Sequence, residues 1–221
     1  MLYNCNVLSK NEVEHCQKQF IENKLKKIQT GDPLYKSKSE VVAQSPQFRN
    51  CMDVFQNAVI KKGEFNTVYL FKDICPPIFS QYDEGDFYQR HIDELVIGGI
   101  RTDHSITVFL NDPDEYDGGE LRITLGDHVT DVKLRAGDAC IYPTGCLHEV
   151  LPVTRGKRQV ALLWATSVID EPFLRHEMIT FAKTILAQCK KHSGDDNYLR
   201  EFVYPLEQVK NNILRGYGNL Q

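Results

Sequence analysis

The sequence predicts an α+β fold with a double-stranded β-helix, or jelly-roll, at its centre and helices at both ends of the chain. Two patterns predict it. Apolar residues recur at helical spacing near the N-terminus and again from about Glu171, whereas from Phe65 onward short apolar runs are separated by Gly, Pro, Asp and Asn turns. Many short strands with frequent turns suit a jelly-roll-like barrel, whose mouth can hold a small site.

Ser9-Lys10-Asn11-Glu12 has the form of a capping box, followed at roughly helical spacing by Val13, Cys16, Phe20 and Leu25, which predicts a first helix of about twenty residues. The polar stretch from Gly31 to Ser45 reads as a loop. Residues Pro46 to Lys62 read as a second helix, with Phe48, Met52, Phe55 and Val59 on one stripe. Within the strand-rich part, Asp117-Gly118-Gly119 and Leu125-Gly126-Asp127 mark turns. The C-terminal helical pattern is interrupted at Ser193-Gly194-Asp195-Asp196 and disturbed by Pro205. The expected division of one domain is therefore a helical support over 1–62, a core over 63–169 and C-terminal helices over 170–221.

Composition limits the function classes. A chain of 221 residues with 42% hydrophobic content can bury a core of its own. The formal net charge of −4 and a pI near 6.0 argue against a protein whose main partner is a nucleic-acid backbone. No apolar segment is long enough to span a membrane, and Met1-Leu2-Tyr3-Asn4-Cys5 lacks the basic and apolar regions of a secretory signal. The seven cysteines show no Cys-x-x-Cys spacing and no compact secreted framework, so reduced thiols in a cytoplasm are expected.

The chemistry centres on His91-Ile92-Asp93. Side chains two apart on a strand share a face, so His91 and Asp93 can grip one metal ion, with a second histidine supplied from elsewhere. Two histidines and one carboxylate leave half of an octahedral ion open, the ligand set of non-haem Fe(II) oxygenases. His148 follows the apolar run Ala139-Cys140-Ile141-Tyr142, and Arg158 comes ten residues later. Counting by two from Arg158 gives Val160, Leu162 and Trp164 on one face. A guanidinium opening an apolar face needs an anion, and its planar fork suits a carboxylate. A 2-oxo acid could fill two metal positions and reach Arg158 with its far carboxylate, leaving one position for O2. His104, next to Asp103, is the one alternative ligand, although adjacent strand residues face opposite ways.

Tyr82 and Tyr88 ahead of His91-x-Asp93, the stretch Gly98-Gly99-Ile100-Arg101-Thr102-Asp103, Phe109-Leu110-Asn111-Asp112-Pro113, Gly118-Gly119-Glu120-Leu121, and His148 with Arg158 together resemble the PKHD-type hydroxylases. That family is the bacterial and phage branch of the prolyl and lysyl hydroxylases, which have cupin-like cores and use Fe(II), 2-oxoglutarate and O2, in some members with ascorbate. The resemblance is strongest from about Phe79 to Ser167 and extends to the opening strand at Tyr3 to Leu8 and the closing helix at Asn212-Ile213-Leu214-Arg215. It implies that His91, Asp93 and His148 hold iron and that Arg158 meets the distal carboxylate of 2-oxoglutarate. It also implies that Tyr82 lies near the cosubstrate and that Tyr88, Phe109 and Trp164 line the pocket. Where some relatives place a second tyrosine to help hold the distal carboxylate this chain has Phe109, so Thr107 or a water takes that part. Halogenating relatives lack the metal-binding carboxylate, so Asp93 favours hydroxylation, with release of succinate and CO2. The primary substrate, a prolyl or other protein residue or a small molecule, would approach over the loops from Tyr88 to Arg101, where Glu94 and Arg101 are candidates to select a charged group.

Other motifs carry less. Cys146 precedes His148 by two and has no activating third group, so packing is its expected role, with oxidation near iron as a side reaction. The acids of Asp112 to Asp117 lack the alternation of a calcium loop, and Gly118-Gly119 lacks the helix and Lys-Ser/Thr of a phosphate cradle. Close backbone passage is the expected use of that glycine pair. Two further readings of the same ligands stay open: a non-catalytic iron or 2-oxoglutarate sensor, and a nucleic-acid demethylase, which would need a basic groove with stacking aromatics.

Overall fold

A strand opens the chain, β1 (Tyr3–Asn6), and α1 (Lys10–Glu22) follows it. The Ser9 backbone N–H donates to Glu12 Oε2 at 2.6 Å, as the capping box requires. In this computed structural model the described residues are 2–29, 36–42, 52–53 and 68–218. The second helix expected over Pro46 to Lys62 lies largely outside them. Contacts divide the chain into two compact units, Met1–Val59 with Ile74–Ala165, and Ile60–Asp73 with Thr166–Gln221.

The N-terminal part holds two strands beyond the expected opening strand and helix. Helix α1 has 13 residues instead of about twenty, because Asn23 leaves the helical conformation and its side-chain amide donates to the Gln19 carbonyl at 3.0 Å. Leu25 then opens β2 (Leu25–Gln29), and the polar stretch expected as a loop carries β3 (Lys36–Val41). The two pair antiparallel, Leu25 opposite Val41.

The next strands are β4 (Phe71–Ile74), β5 (Ile78–Tyr82) and β6 (Phe87–His91), followed by the small hairpin β7 (Val96–Ile97) and β8 (Ile100–Arg101). After β9 (His104–Phe109) come β10 (Tyr116–Gly118), β11 (Leu121–Leu125), β12 (His128–Val132) and β13 (Asp138–Pro143). The series closes with β14 (Leu147–Val150), β15 (Val153–Gly156) and β16 (Arg158–Ser167). In the first unit the main sheet runs in the order β1-β13-β9-β16-β5-β3-β6-β14-β11-β12, all pairs antiparallel where registered, while β10 pairs separately with β15. The order shows why the sequence pattern was hard to complete: β3 sits between β5 and β6, two strands that are consecutive in the chain. The sheet curls into a half-barrel of the jelly-roll type. Phe79, Ile106, Val108, Ile141, Val160 and Leu163 are buried in it.

Gly118 and Gly119 both adopt positive φ, at 68° and 66°. A Cβ on Gly118 would collide with the Pro152 carbonyl oxygen, and one on Gly119 would stand 3.0 Å from Arg158 Cδ. The pair therefore serves close passage, and at Gly119 the chain makes room for the arginine itself. The nearby acids are satisfied within the turn: Asp112 Oδ1 accepts from the Ala136 N–H, and Asp117 meets Arg155.

In the second unit, α2 (Pro172–Lys191) begins at Glu171, whose carboxylate accepts from the Phe173 and Leu174 N–H groups. A short helical turn (Asp196–Tyr198) passes through a π-helical turn (Leu199–Val203) into α3 (Tyr204–Tyr217). Pro205 falls in the first turn of α3, where its missing N–H costs nothing, so it starts a helix instead of disturbing one. No helix among the described residues is long and apolar enough to cross a membrane.

Candidate metal and oxo-acid site

His91 ends β6 and faces His148 of β14 directly across the antiparallel pair. Asp93 lies two residues beyond, just outside the strand, while Ile92 between them is 52% exposed, so the alternation assumed from sequence carries past the strand end. One ligand atom from each of His91, Asp93 and His148 lies within 4.8 Å of the others. His91 Nε2 is 3.5 Å from Asp93 Oδ1 and His148 Nε2 is 3.6 Å from Asp93 Oδ2.

Both imidazoles are held from behind. His91 Nδ1 meets the Gln89 carbonyl at 2.7 Å, and His148 Nδ1 meets the Cys146 carbonyl at 3.0 Å. A carbonyl can only accept, so Nδ1 carries the proton and the Nε2 lone pair faces the cluster. Burial pushes His148 below its ordinary value, favouring the neutral form that a metal requires. Burial alone would raise the Asp93 carboxyl, but His91 as a hydrogen-bond donor and His148 as a charge, each when protonated in the metal-free site, together with donors from Trp164 and Ser105 outweigh it and bring Asp93 down to about 2. Trp164 Nε1 and Ser105 Oγ each donate to Asp93 Oδ2 at 2.8 Å. This donor set fits an Fe(II) ion with open positions.

The triad lies in a cavity of about 460 Å³ that also reaches Arg158. Arg158 is 1% exposed, and among the described residues none of its three guanidinium nitrogens has a hydrogen-bond partner. Its Cζ is 5.0 Å from the Tyr82 ring centroid and 5.5 Å from that of Phe109, and Tyr82 is its cross-strand neighbour. Aromatic faces soften the burial of a cation but satisfy none of its N–H groups. A buried arginine with no acid beside it is a site prepared for an anion.

Tyr82, Tyr88 and Trp164 line the cavity as expected, and so do Leu162 and Thr107. Phe109 does not: it packs in the buried apolar cluster, its ring centroid 5.5 Å from the Arg158 Cζ. Arg101 is also absent from the lining. It sits on the β7–β8 hairpin, forks onto Asp103 with its closest approach at 2.8 Å, and its side chain is 44% exposed. Glu94, named with it, does line the cavity. His104 is buried on β9 and belongs neither to the metal cluster nor to the cavity wall. The Cys146 thiol is raised by burial, the opposite of an activated nucleophile.

Sequence reasoning missed Tyr142 and the β3 trio Lys36, Lys38 and Glu40, all of which line the cavity. Tyr142 was visible as part of an apolar strand but gave no sign of direction. The trio has strand periodicity, yet its inward face is charged, and hydrophobic alternation cannot find such a strand.

Trp164 does more than wall the cavity, because its indole N–H orients a metal ligand. Trp164→Phe keeps most of the ring area and removes that donor. Fe(II) or Mn(II) affinity is expected to fall roughly 10- to 100-fold, the usual cost of removing a group that orients a ligand. Anaerobic metal titration checks this, and an unchanged affinity would reduce Trp164 to packing.

The sequence profile of the 2OG-Fe(II) oxygenase superfamily matches residues 77–166, the stretch from β5 to β16 that carries the triad and Arg158. A PKHD-type hydroxylase of Acinetobacter baumannii (strain SDF) is 34% identical, the match covering 97% of this chain and 97% of that protein. Among solved structures, a Pseudomonas putida prolyl-4-hydroxylase superimposes with a TM-score of 0.54 at 21% identity, over 75% of this chain and 92% of its own. A Trichoplax adhaerens prolyl hydroxylase, in complex with a hypoxia inducible factor oxygen degradation domain peptide fragment, has a TM-score of 0.52 at 15% identity, over 75% and 83%.

Proposed function

The chain belongs to the PKHD-type hydroxylase family and carries a 2OG-Fe(II) oxygenase domain, and from that premise we propose specific roles for the residues of its cavity. The family's reaction consumes O2 and 2-oxoglutarate, releases succinate and CO2, and leaves one oxygen atom on the second substrate as a hydroxyl. His91 and His148 through Nε2, and Asp93 through its carboxylate, hold the iron. Arg158 binds the distal carboxylate of 2-oxoglutarate with its planar fork, and Tyr82 packs against that pair. Bound Fe(II) supplies the activation of dioxygen.

The protein's own work is to position and to exclude. The Gln89 and Cys146 carbonyls fix the histidine tautomers, and Ser105 and Trp164 fix the carboxylate. Ile78, Leu162 and Val150 supply apolar wall that limits water around the reacting groups. Thr107 and Tyr142, both lining the cavity, offer the hydroxyl that Phe109 lacks. The observation that carries this reading is the buried Arg158, without a hydrogen-bond partner among the described residues, in the same cavity as the His-Asp-His cluster.

The second substrate is a protein residue, prolyl or other, or a small molecule. The peptide complex of the Trichoplax neighbour supports a peptide by likeness of fold alone. A cytoplasmic setting is supported by the six free cysteines among the described residues. The test is substrate-dependent succinate release across peptide and metabolite pools. A pool that raises succinate above the uncoupled rate supports the reading. Tight binding of metal and 2-oxoglutarate with no succinate from any pool would favour the sensor.

A further inference from the structure

Three cationic side chains reach the cavity, and two are accounted for. Arg158 faces the oxo acid in the reading above. Lys38 is 5% exposed, and its ammonium pairs with Glu40 at 2.9 Å and reaches Ser80 Oγ at 3.3 Å. Lys36 differs. Two residues before Lys38 on the same strand face, it lines the cavity, yet among the described residues its ammonium has neither an ion pair nor a hydrogen bond. Its close contact is the Tyr88 ring, 5.1 Å from the nitrogen to the centroid.

That contact fixes where Lys36 stands relative to the metal cluster. The Tyr88 ring stacks on the His91 imidazole with centroids 3.6 Å apart and an 18° interplanar angle. The ammonium and a metal ligand thus contact the same aromatic ring. Burial and the neighbouring Lys38 charge push Lys36 below its ordinary value, against the opposing pull of the Glu40, Glu94 and Asp93 carboxylates, none of which forms an ion pair with it.

We propose that Lys36 is the recognition residue for the primary substrate and that this substrate carries a carboxylate, held over Tyr88 so that the atom to be oxidised faces the His91–Asp93–His148 cluster. The proposal rests on the hydroxylase reading above and adds the substrate's chemical class. A carboxylate suits the site better than a phosphate. Glu94 lines the same cavity beside Glu40, which Lys38 already neutralises, and that further negative charge would disfavour a dianion while tolerating a single charge neutralised by the ammonium. Lysine also suits a second anion beside an arginine-bound one, because it acts as a compact point charge where Arg158 imposes a planar fork.

The probes are N-acetylglycine and its neutral amide, N-acetylglycinamide, titrated calorimetrically into the Mn(II)-loaded protein saturated with 2-oxoglutarate. The acid is expected to bind roughly tenfold or more tightly than the amide, as one charge-assisted contact implies. Lys36→Met should erase the preference, and Lys36→Arg should keep it. Absence of saturable binding by the acid, equal affinity for both probes, or a preference surviving in Lys36→Met would overturn the proposal. Loss of 2-oxoglutarate binding in Lys36→Met would also overturn it, by assigning Lys36 to the cosubstrate. Failure of the wild-type protein to bind Mn(II) and 2-oxoglutarate, measured before either probe is added, would instead refute the underlying hydroxylase reading.

Discussion

Asp93→Ala is expected to lose tight Fe(II) binding and all substrate-coupled succinate formation while the chain stays folded. The alanine removes the one carboxylate that joins the two histidines at the metal, and it also leaves Trp164 Nε1 without its acceptor, whereas Ser105 Oγ keeps Thr144 Oγ1 at 3.2 Å. An unpaired buried donor costs about 1–3 kcal/mol, so some loss of stability accompanies the loss of metal, although no packed side chain is removed from the core. Circular dichroism with anaerobic metal titration separates the two effects. His104→Ala is the contrast: His104 lies outside the metal cluster, so each folded molecule should still bind iron. Full activity in Asp93→Ala, or equal loss of metal in His104→Ala, would mean that the ligand set is wrong.

The second large effect is at Arg158. Replacing it with methionine removes a guanidinium that is 1% exposed and, among the described residues, without a hydrogen-bond partner. In the absence of 2-oxoglutarate the variant is expected to be at least as stable as the wild type, since an apolar side chain in place of a buried charge is often neutral or stabilising. With 2-oxoglutarate the order should reverse. At a ligand concentration about 100 times Kd the wild type gains about 2.7 kcal/mol, and the variant gains almost none. Arg158→Lys should fall between them, with affinity lower by roughly one to two orders of magnitude because the fork is lost and the charge kept. Thermal unfolding of the Mn(II)-loaded proteins with and without 2-oxoglutarate measures all three. An Arg158→Met protein still stabilised as strongly as wild type would remove the arginine from the oxo-acid site.

Much of this site was legible in the sequence because it depends on spacing. His91 and Asp93 are two residues apart, and Arg158 opens a ten-residue strand whose third, fifth and seventh residues, Val160, Leu162 and Trp164, are apolar, so strand alternation was enough to orient them. His148 needed the family resemblance to be chosen over His104; the cross-strand register that sets it against His91 lies in the pairing of β6 with β14, which no local pattern reports. Arg101 and Phe109 show the limit of position in sequence. Arg101 follows the metal motif closely but spends its charge on Asp103, and Phe109 shares the parity of Ser105 and Thr107 on β9 yet packs in the buried apolar cluster instead of lining the cavity.

The strand β3 was missed for a physical reason. Its residues Lys36, Lys38 and Glu40 face inward, so the stretch looks solvated in sequence although Lys38 is buried. Charged residues on an inward face depart from the rule that fits the rest of the sheet, and such departures gather at functional sites. The first helix was read too long for a related reason. Leu25 continues the apolar spacing of α1, but the Asn23 side chain closes the helix and pairing with β3 claims Leu25 for a strand.

In the proposed arrangement one cavity holds the metal on His91, Asp93 and His148 and the oxo acid between that metal and Arg158. Its most direct test is the affinity for 2-oxoglutarate measured calorimetrically with and without Mn(II). If the oxo acid bridges metal and arginine, Mn(II) should tighten its binding roughly 5- to 150-fold, 2-oxoglutarate should tighten Mn(II) by the same factor, and both effects should vanish in Asp93→Ala. Equal affinity for 2-oxoglutarate with and without the metal would contradict the account.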